Sequence, residues 1–203
     1  ALETPEFMLS KMDEFGSPES YNHYSVGWAW AMDTPYQWTK QVASHWGGTR
    51  NGTIVHWPAG IQQKGGLRSQ FCHVIDIAPT ILEAAGLPEP TFVNGVQQSP
   101  MEGISMLYSF DNLDAPERHD LQYCEMFGNR GIYYRGWSAV TKHRTPWLLT
   151  EQAPPFDDDI WELYDGRQDF SQAHDLAAQM PDKLRALQRL WLIEAVKYNV
   201  LPM

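Results

Sequence analysis

The chain has 203 residues, a length that can bury a core as one large domain or as two small ones. Hydrophobic residues make up 43% and charged residues 20%, which argues against a disordered chain. The sequence contains no apolar run of about 18 residues, so no membrane-spanning helix is predicted. The net charge of −10 argues against a nucleic-acid partner, because such a surface needs a clustered basic face. An anionic substrate would need a local cationic pocket.

Two helices are predicted in the first half of the chain. Residues 4–15 begin with a threonine cap and a proline, carry apolar residues at helical spacing and stop at Gly16. Residues 76–85 carry apolar residues on one face and stop at Gly86.

The segments between these helices have less regular patterns. The aromatic-rich residues 21–30 have no clean period, so they are predicted to form a packed loop or, alternatively, to line a pocket. Residues 53–57 are predicted to form a buried strand, because an apolar run lies there between an Asn-Gly pair and Pro58.

The pattern changes to period 2 after a polar connector near residues 111–118. Residues 120–126 and 130–143 are predicted strands joined by a hairpin turn, with a second turn at 134–137 and a further strand at 160–164.

The last predicted element is a helix that begins at Pro181. Its buried stripe is expected to contain Leu184, Leu187, Trp191 and Tyr198. The elements together predict an α/β fold with two parts: residues 1–112 belong to a large α/β domain, and residues 113–203 form a small antiparallel sheet packed by the C-terminal helix.

The residues with a claim to chemistry surround a Gly-Gly pair. Lys40 could stabilise a negative oxygen, with a solvated loop lysine as the alternative. His45 could be an acid, a base or a contact for an anionic substrate, although a lone histidine is more often structural. Arg50 is expected to pair with a carboxylate across the core. The Gly-Gly pair itself has no phosphate-loop spacing.

Other motifs do not complete an active site. Residues 157–159 are three aspartates without EF-hand spacing, which indicates a solvated loop and not a calcium site. The serines lack a nucleophile-elbow setting. Cys72 and Cys124 lie in no zinc or C-x-x-C pattern and are expected to be free thiols. The residues by themselves predict an anion-contacting lysine with neither nucleophile nor metal cluster.

Five segments in order resemble the C-terminal half of a bacterial arylsulfatase of the sulfatase family, in the alkaline-phosphatase-like superfamily. They are WTKQVASHWGGTRNG at 38–52, DIAPTILEAAG at 76–86, EGIS at 102–105, GNRGI with GW at 128–137, and WELYD with DFSQ and DLA at 161–177. By this resemblance Lys40 is the active-site lysine that contacts the sulfate ester. His45 stands where relatives have a different pair of residues, so no role transfers to it.

The resemblance also implies groups that the chain does not contain. Sulfatases attack with a formylglycine made in a C/S-x-P-x-R motif, and neither Cys72 nor Cys124 is followed by that pattern. It implies Ca²⁺ for the complete enzyme, with the calcium ligands and the nucleophile in a missing N-terminal part of the same protein.

The expected function is therefore that of a C-terminal fragment of a sulfuric ester hydrolase. Its substrate would be a small sulfate ester, either an aryl sulfate or a sulfated sugar, and the fragment alone would be inactive. Two alternatives are a non-catalytic binding or scaffold module that uses its aromatic residues, and the same fold acting as a phosphatase or phosphodiesterase.

Overall fold

The computed structural model describes residues 4–20, 25–148 and 152–201. The α-helices are α1 (Pro5–Ser10), α2 (Val26–Asp33), α3 (Trp46–Thr49), α4 (Ile77–Ala84), α5 (Leu107–Phe110) and α6 (Pro181–Lys197), and short 3₁₀ turns lie at Met12–Glu14, Val74–Asp76 and Phe156–Asp158. The strands are β1 (Phe92–Val93), β2 (Val96–Gln97), β3 (Leu121–Met126), β4 (Asn129–Tyr134), β5 (Trp137–Thr141) and β6 (Glu162–Asp165). The predicted combination of α/β segments with a small antiparallel sheet and a C-terminal helix is confirmed.

The chain divides into two compact units. Unit 1 contains the chain up to residue 50, residues 123–132 and the chain from residue 138 onward, and unit 2 contains residues 51–122 with 133–137. The expected boundary at residue 112 stays a prediction.

The four-stranded sheet has the order β3-β4-β5-β6, so strands that follow one another in the chain also lie side by side. Both predicted hairpin turns are present. Phe127 and Gly128 have φ values of 55° and 83°, and Arg135 and Gly136 have φ values of 47° and 83°. Consecutive residues with positive φ give the turn a twist that matches the right-handed twist of the strands it joins.

Helix α6 covers the core of unit 1. Leu187, Trp191 and Ala195 are buried on one face of the helix, and the Trp191 indole donates a hydrogen bond to the Cys124 carbonyl oxygen at 3.3 Å. Tyr198, predicted as core, is 41% exposed because it lies at the C-cap, beyond the last helical turn.

Helix α1 has its predicted cap but is shorter than expected. The Thr4 hydroxyl accepts a hydrogen bond from the Phe7 N–H at 3.2 Å. The α-helix ends at Ser10 and a 3₁₀ turn continues to Glu14. Among the aromatic-rich residues, 21–24 lie outside the described part of the chain, and the predicted loop is wrong for the rest because they form α2.

The predicted buried strand at residues 53–57 is wrong. These residues belong to unit 2, form no strand, and leave Ile54 95% exposed. A strand needs a neighbour to pair its backbone groups, and the described residues of unit 2 offer none at this position. Helix α4 forms as predicted, yet its apolar face is open, with Ile77 43% and Ile81 62% exposed.

No helix in the three described stretches is both long and apolar enough to cross a membrane.

Candidate functional site

The backbone around Lys40 is bent into an unusual loop. Lys40 is exposed, while Trp38 and Gln41 on either side of it have φ values of 65° and 74°. Residues with a Cβ atom lose about 1–2 kcal/mol in this left-handed region, so they stay there only where surrounding contacts fix them. The next residue, Val42, is fully buried and anchors the loop in unit 1.

The Gly-Gly pair makes this loop possible. The Gly47 N–H donates to the Gln37 carbonyl oxygen at 3.0 Å, and a Cβ atom on Gly47 would lie 2.1 Å from the Trp38 carbonyl oxygen. A Cβ atom on Gly48 would lie 2.1 Å from the Val42 carbonyl oxygen. Helix α3 therefore packs its bare backbone against the underside of the loop, as only glycine permits.

Gln172 fastens both ends of the same segment. Its side-chain oxygen accepts the Trp46 N–H at 2.8 Å, and its backbone carbonyl oxygen accepts the Gln37 side-chain amide. Gln172 is fully buried and has a φ of 59°. Sequence reasoning missed this role, because a glutamine in a closing segment more than 120 residues away carries no local signal.

His45 is fully buried beneath the loop. Its Nδ1 lies 2.9 Å from the Ser44 hydroxyl, and its Nε2 lies 3.3 Å from Oε2 of Glu162 on β6. The Tyr164 hydroxyl donates to the same carboxylate oxygen. These contacts join α3 to the sheet. The expectation that His45 touches a substrate stays a prediction.

Glu162 and Tyr164, which contact each other beside His45, both have shifted pKa values. Burial opposes ionisation of Glu162, but hydrogen bonds from His45 and Tyr164 outweigh it and hold the pKa of the carboxyl below its usual value. Burial and the nearby Glu162 raise the pKa of Tyr164, which therefore remains a hydrogen-bond donor. The result is an ionised carboxylate under the Lys40 loop.

Arg50 packs against aromatic rings and a carbonyl. Its guanidinium lies 4.5 Å from the Trp46 ring centroid and 5.3 Å from that of Tyr36, and it donates to the Phe170 carbonyl oxygen at 3.0 Å. The expected pairing with a carboxylate is wrong within the described residues. A planar, weakly hydrated guanidinium is well suited to stacking on rings.

The run of aspartates at 157–159 contains a buried ion-pair partner. The Asp159 side chain is 1% exposed, accepts from Arg130, and lies 3.0 Å from Nδ1 of His143. The predicted solvated loop is thus wrong for Asp159, while Asp157 and Asp158 are exposed. Because all three residues are aspartates, the sequence does not indicate which carboxylate is buried.

Unit 2 has its own buried carboxylate. Asp76 is fully buried and accepts hydrogen bonds from the backbone N–H groups of His73 at 2.8 Å and Ile104 at 2.7 Å. Nδ1 of His119 lies 2.9 and 2.8 Å from its two oxygens. Asp76 therefore joins three segments of unit 2 that are distant in sequence.

The described residues do not fit the metal ion that the resemblance implies, and the place of the nucleophile stays a prediction. They contain no group of three or more His, Cys, Asp or Glu side chains that could hold a metal ion. Burial raises the pKa of the Cys124 thiol to about 11, which makes it a poor nucleophile near neutral pH.

Comparison with known proteins gives consistent matches. The sequence signature of the family described as Sulfatase matches residues 13–87. An uncharacterized sulfatase of Schizosaccharomyces pombe is 28% identical over 198 residues, which is 96% of this chain and 33% of that protein. An arylsulfatase of Klebsiella aerogenes is 29% identical over 106 residues, or 51% of this chain and 23% of that one. The chain thus spans about a third or less of these relatives.

Solved structures agree on the fold. One structure comes from work on a genetic locus for the metabolism of multiple glycosaminoglycans by Bacteroides thetaiotaomicron. Its TM-score is 0.54 at 22% identity, and the match covers 77% of this chain and 31% of that chain. Another was solved in complex with its substrate D-glucosamine-2-N,6-O-disulfate. Its TM-score is 0.50 at 21% identity, and the match covers 73% of this chain and 28% of that chain. The chain is thus similar in sequence to sulfatases and shares their fold over part of its length.

Proposed function

We propose that the chain forms one wall of the sulfate-ester site of a sulfuric ester hydrolase, and that Lys40 contacts the sulfate. The observation that carries the proposal is the exposed Lys40 between two left-handed residues, Trp38 and Gln41. Strained backbone of this kind is concentrated at ligand-binding and catalytic loops.

The chemistry assigned to Lys40 is electrostatic. Cleavage of a sulfate ester leaves negative charge on the departing oxygen and on the sulfate oxygens. An ammonium group already in place stabilises that charge without reorganising in the transition state. No ion pair of Lys40 with a carboxylate occurs in the described portion of the chain, so its charge is available to an anion.

The substrate that we propose is a small sulfate ester, either an aryl sulfate or a sulfated sugar. The arylsulfatase of Klebsiella aerogenes supports the first class. The structure with bound D-glucosamine-2-N,6-O-disulfate supports the second.

We also propose that the nucleophile and the Ca²⁺ ligands lie outside this chain, in the remaining part of a sulfatase domain, and that the chain alone is inactive. Unit 2 supports this assembly because it exposes apolar side chains that a larger domain would cover, among them Ile54, Leu67, Val74 and Ile81. An exposed apolar surface of this kind typically marks an interface.

The test replaces Lys40 by Ala in the complete enzyme that contains this chain. We expect kcat/KM for 4-nitrophenyl sulfate to fall about 100-fold, the usual effect of removing one donor to developing charge. The free energy of unfolding should change by less than about 0.5 kcal/mol, because the side chain is exposed. Lys64, exposed in unit 2, gives the matched control Lys64→Ala, which should retain full activity. An unchanged rate in Lys40→Ala contradicts the assignment, and turnover by the 203-residue chain alone contradicts the proposed inactivity.

A second candidate is a non-catalytic module that binds sugars or aryl groups. It is favoured by Trp28 and Trp30 of α2, which are 69% and 63% exposed. If it is correct, replacing both by Ala abolishes binding of an unsulfated sugar, whereas Lys40→Ala has no effect.

The same fold could also act on phosphate esters, since a lysine ammonium binds a phosphate as readily as a sulfate. Measuring the hydrolysis rates of 4-nitrophenyl phosphate and 4-nitrophenyl sulfate side by side distinguishes the two reactions. We expect hydrolysis of the sulfate.

A further inference from the structure

Lys142 places a second cation beside the Lys40 loop. It follows strand β5 directly, and its ammonium lies 4.6 Å from the centroid of the Trp38 ring. The same ring makes a T-shaped contact with the buried His45, with centroids 6.4 Å apart. Trp38 thus contacts both the fully buried His45 and the half-buried Lys142.

The contact with Trp38 fixes the position of Lys142. A lysine side chain in water samples many rotamers, whereas a cation over an indole face gains about 0.5–1 kcal/mol from the ring quadrupole. Trp38 has a left-handed φ of 65°, and its ring contacts Lys142 directly after β5. The loop that carries Lys40 therefore also carries the ring that holds Lys142.

The charges of the two lysines are not neutralised locally. Neither Lys40 nor Lys142 forms an ion pair with a carboxylate in residues 4–20, 25–148 or 152–201. The chain as a whole carries a net charge of −10, so a lysine on the loop and a second lysine that contacts the loop are unusual in forming no ion pair with a carboxylate. Trp38 and Lys40 are two residues apart, which places their Cα atoms within about 7 Å of each other.

We propose that Lys142 is a specificity-determining residue that binds a second sulfate on the substrate, so that the site prefers sugars with two sulfate groups to those with one. This inference rests on the proposed function of Lys40. Lys40 contacts the ester that is cleaved, and Lys142 contacts a neighbouring sulfate that is not. The half-buried Trp38 ring, which Lys142 contacts, supplies an apolar face for the sugar ring.

The experiment measures how tightly two ligands compete with hydrolysis of 4-nitrophenyl sulfate by the complete enzyme that contains this chain. The probes are glucosamine 6-sulfate and D-glucosamine-2-N,6-O-disulfate, at low and at physiological ionic strength. We expect the disulfate to bind about three-fold more tightly, in keeping with a partly exposed ion pair, and the preference to shrink with added salt.

Variants separate recognition from packing. Lys142→Gln should remove the preference while the monosulfate affinity is kept, and Lys142→Arg should retain the preference because it keeps the charge and the ring contact. The matched control Lys64→Gln removes one charge from unit 2 and should leave the preference unchanged.

The possible failures are distinct. If the monosulfate binds but the disulfate has no advantage, or if Lys142→Gln keeps the advantage, the role of Lys142 is overturned and that of Lys40 stands. If Lys142→Gln lowers only thermal stability, the contact with Trp38 is structural and the inference is wrong. If neither ligand competes with 4-nitrophenyl sulfate, the proposed sulfate site itself is wrong.

Discussion

A Cβ atom on Gly47 would lie 2.1 Å from the carbonyl oxygen of Trp38. This approach joins helix α3 to the loop that presents Lys40, and it leaves no space for any side chain on α3 at that point. The conformation of Lys40 therefore depends on a residue that has no chemistry of its own.

Gly47→Ala should destabilise unit 1. The added methyl group meets the backbone atoms of Trp38 and Gln37, which cannot rotate away as a side chain would, so we expect a loss of about 3 kcal/mol in the free energy of unfolding. Urea denaturation measures it. Gly27→Ala on α2 is the control, because no atom lies within 4 Å of its added Cβ and alanine favours a helix by about 1 kcal/mol. Equal effects of the two variants would contradict the close packing.

Asp159→Ala should also destabilise unit 1. It removes the partner of both Arg130 and His143 and leaves the buried guanidinium without its carboxylate, which costs about 3 kcal/mol. Asp157→Ala, two residues earlier and exposed, should change the free energy of unfolding by less than about 0.5 kcal/mol. Chemical denaturation of both variants gives the comparison. A similar loss of stability in each would show that the buried contacts of Asp159 do not stabilise unit 1.

Asp76→Ala should unfold the centre of unit 2. It deprives the N–H groups of His73 and Ile104 of their acceptor and separates His119 from its carboxylate, so we expect a loss of about 3 kcal/mol. Hydrogen exchange at the Ile104 amide measures the effect locally, and protection there should fall. Protection that persists in Asp76→Ala contradicts the role of Asp76. Asp114→Ala, an exposed carboxylate in the same unit, is the control.

Glu162→Gln should change how stability depends on pH. The folded pKa of Glu162 lies below the ordinary value of 4.5, so the unfolded chain binds more protons near and below that pH and the stabilisation is lost as the pH falls through the folded pKa. At neutral pH the variant should lose about 1 kcal/mol, allowing for the partial exposure of the carboxylate.

The measurement is the free energy of unfolding from pH 7 downward in both proteins. The wild-type curve should fall more steeply below about pH 4.5 than that of Glu162→Gln. The exposed Glu83 on α4 gives the control Glu83→Gln. Parallel curves for wild type and Glu162→Gln would remove Glu162 as the source of the acid sensitivity.

The second half of the chain was largely predictable because its signals are local. The turns at Phe127–Gly128 and Arg135–Gly136 follow from their glycines, which tolerate positive φ, and the stripe on α6 follows from its spacing. The run at 53–57 failed for the opposite reason. Its apolar, β-branched composition favours a strand, but strand pairing depends on a neighbour that local sequence cannot supply.

In the candidate site, too, local sequence signals were found and contacts between distant residues were missed. Lys40 and the Gly-Gly pair were found from a short motif and its resemblance to sulfatases, because a lysine seven residues before a glycine pair is visible in the sequence itself. Gln172, Glu162 and Lys142 were missed, because each reaches the loop from more than 100 residues away.

The sequence by itself determined the family resemblance, the hairpin turns and the C-terminal helix, since these rest on residue types at short spacing. Only the tertiary structure decided which polar side chains turn inward. His45 and Asp159 are buried because each finds a partner distant in sequence, and an unpaired polar group could not remain there. The strained loop around Lys40 likewise exists because folding brings Gly47 and Gln172 against it.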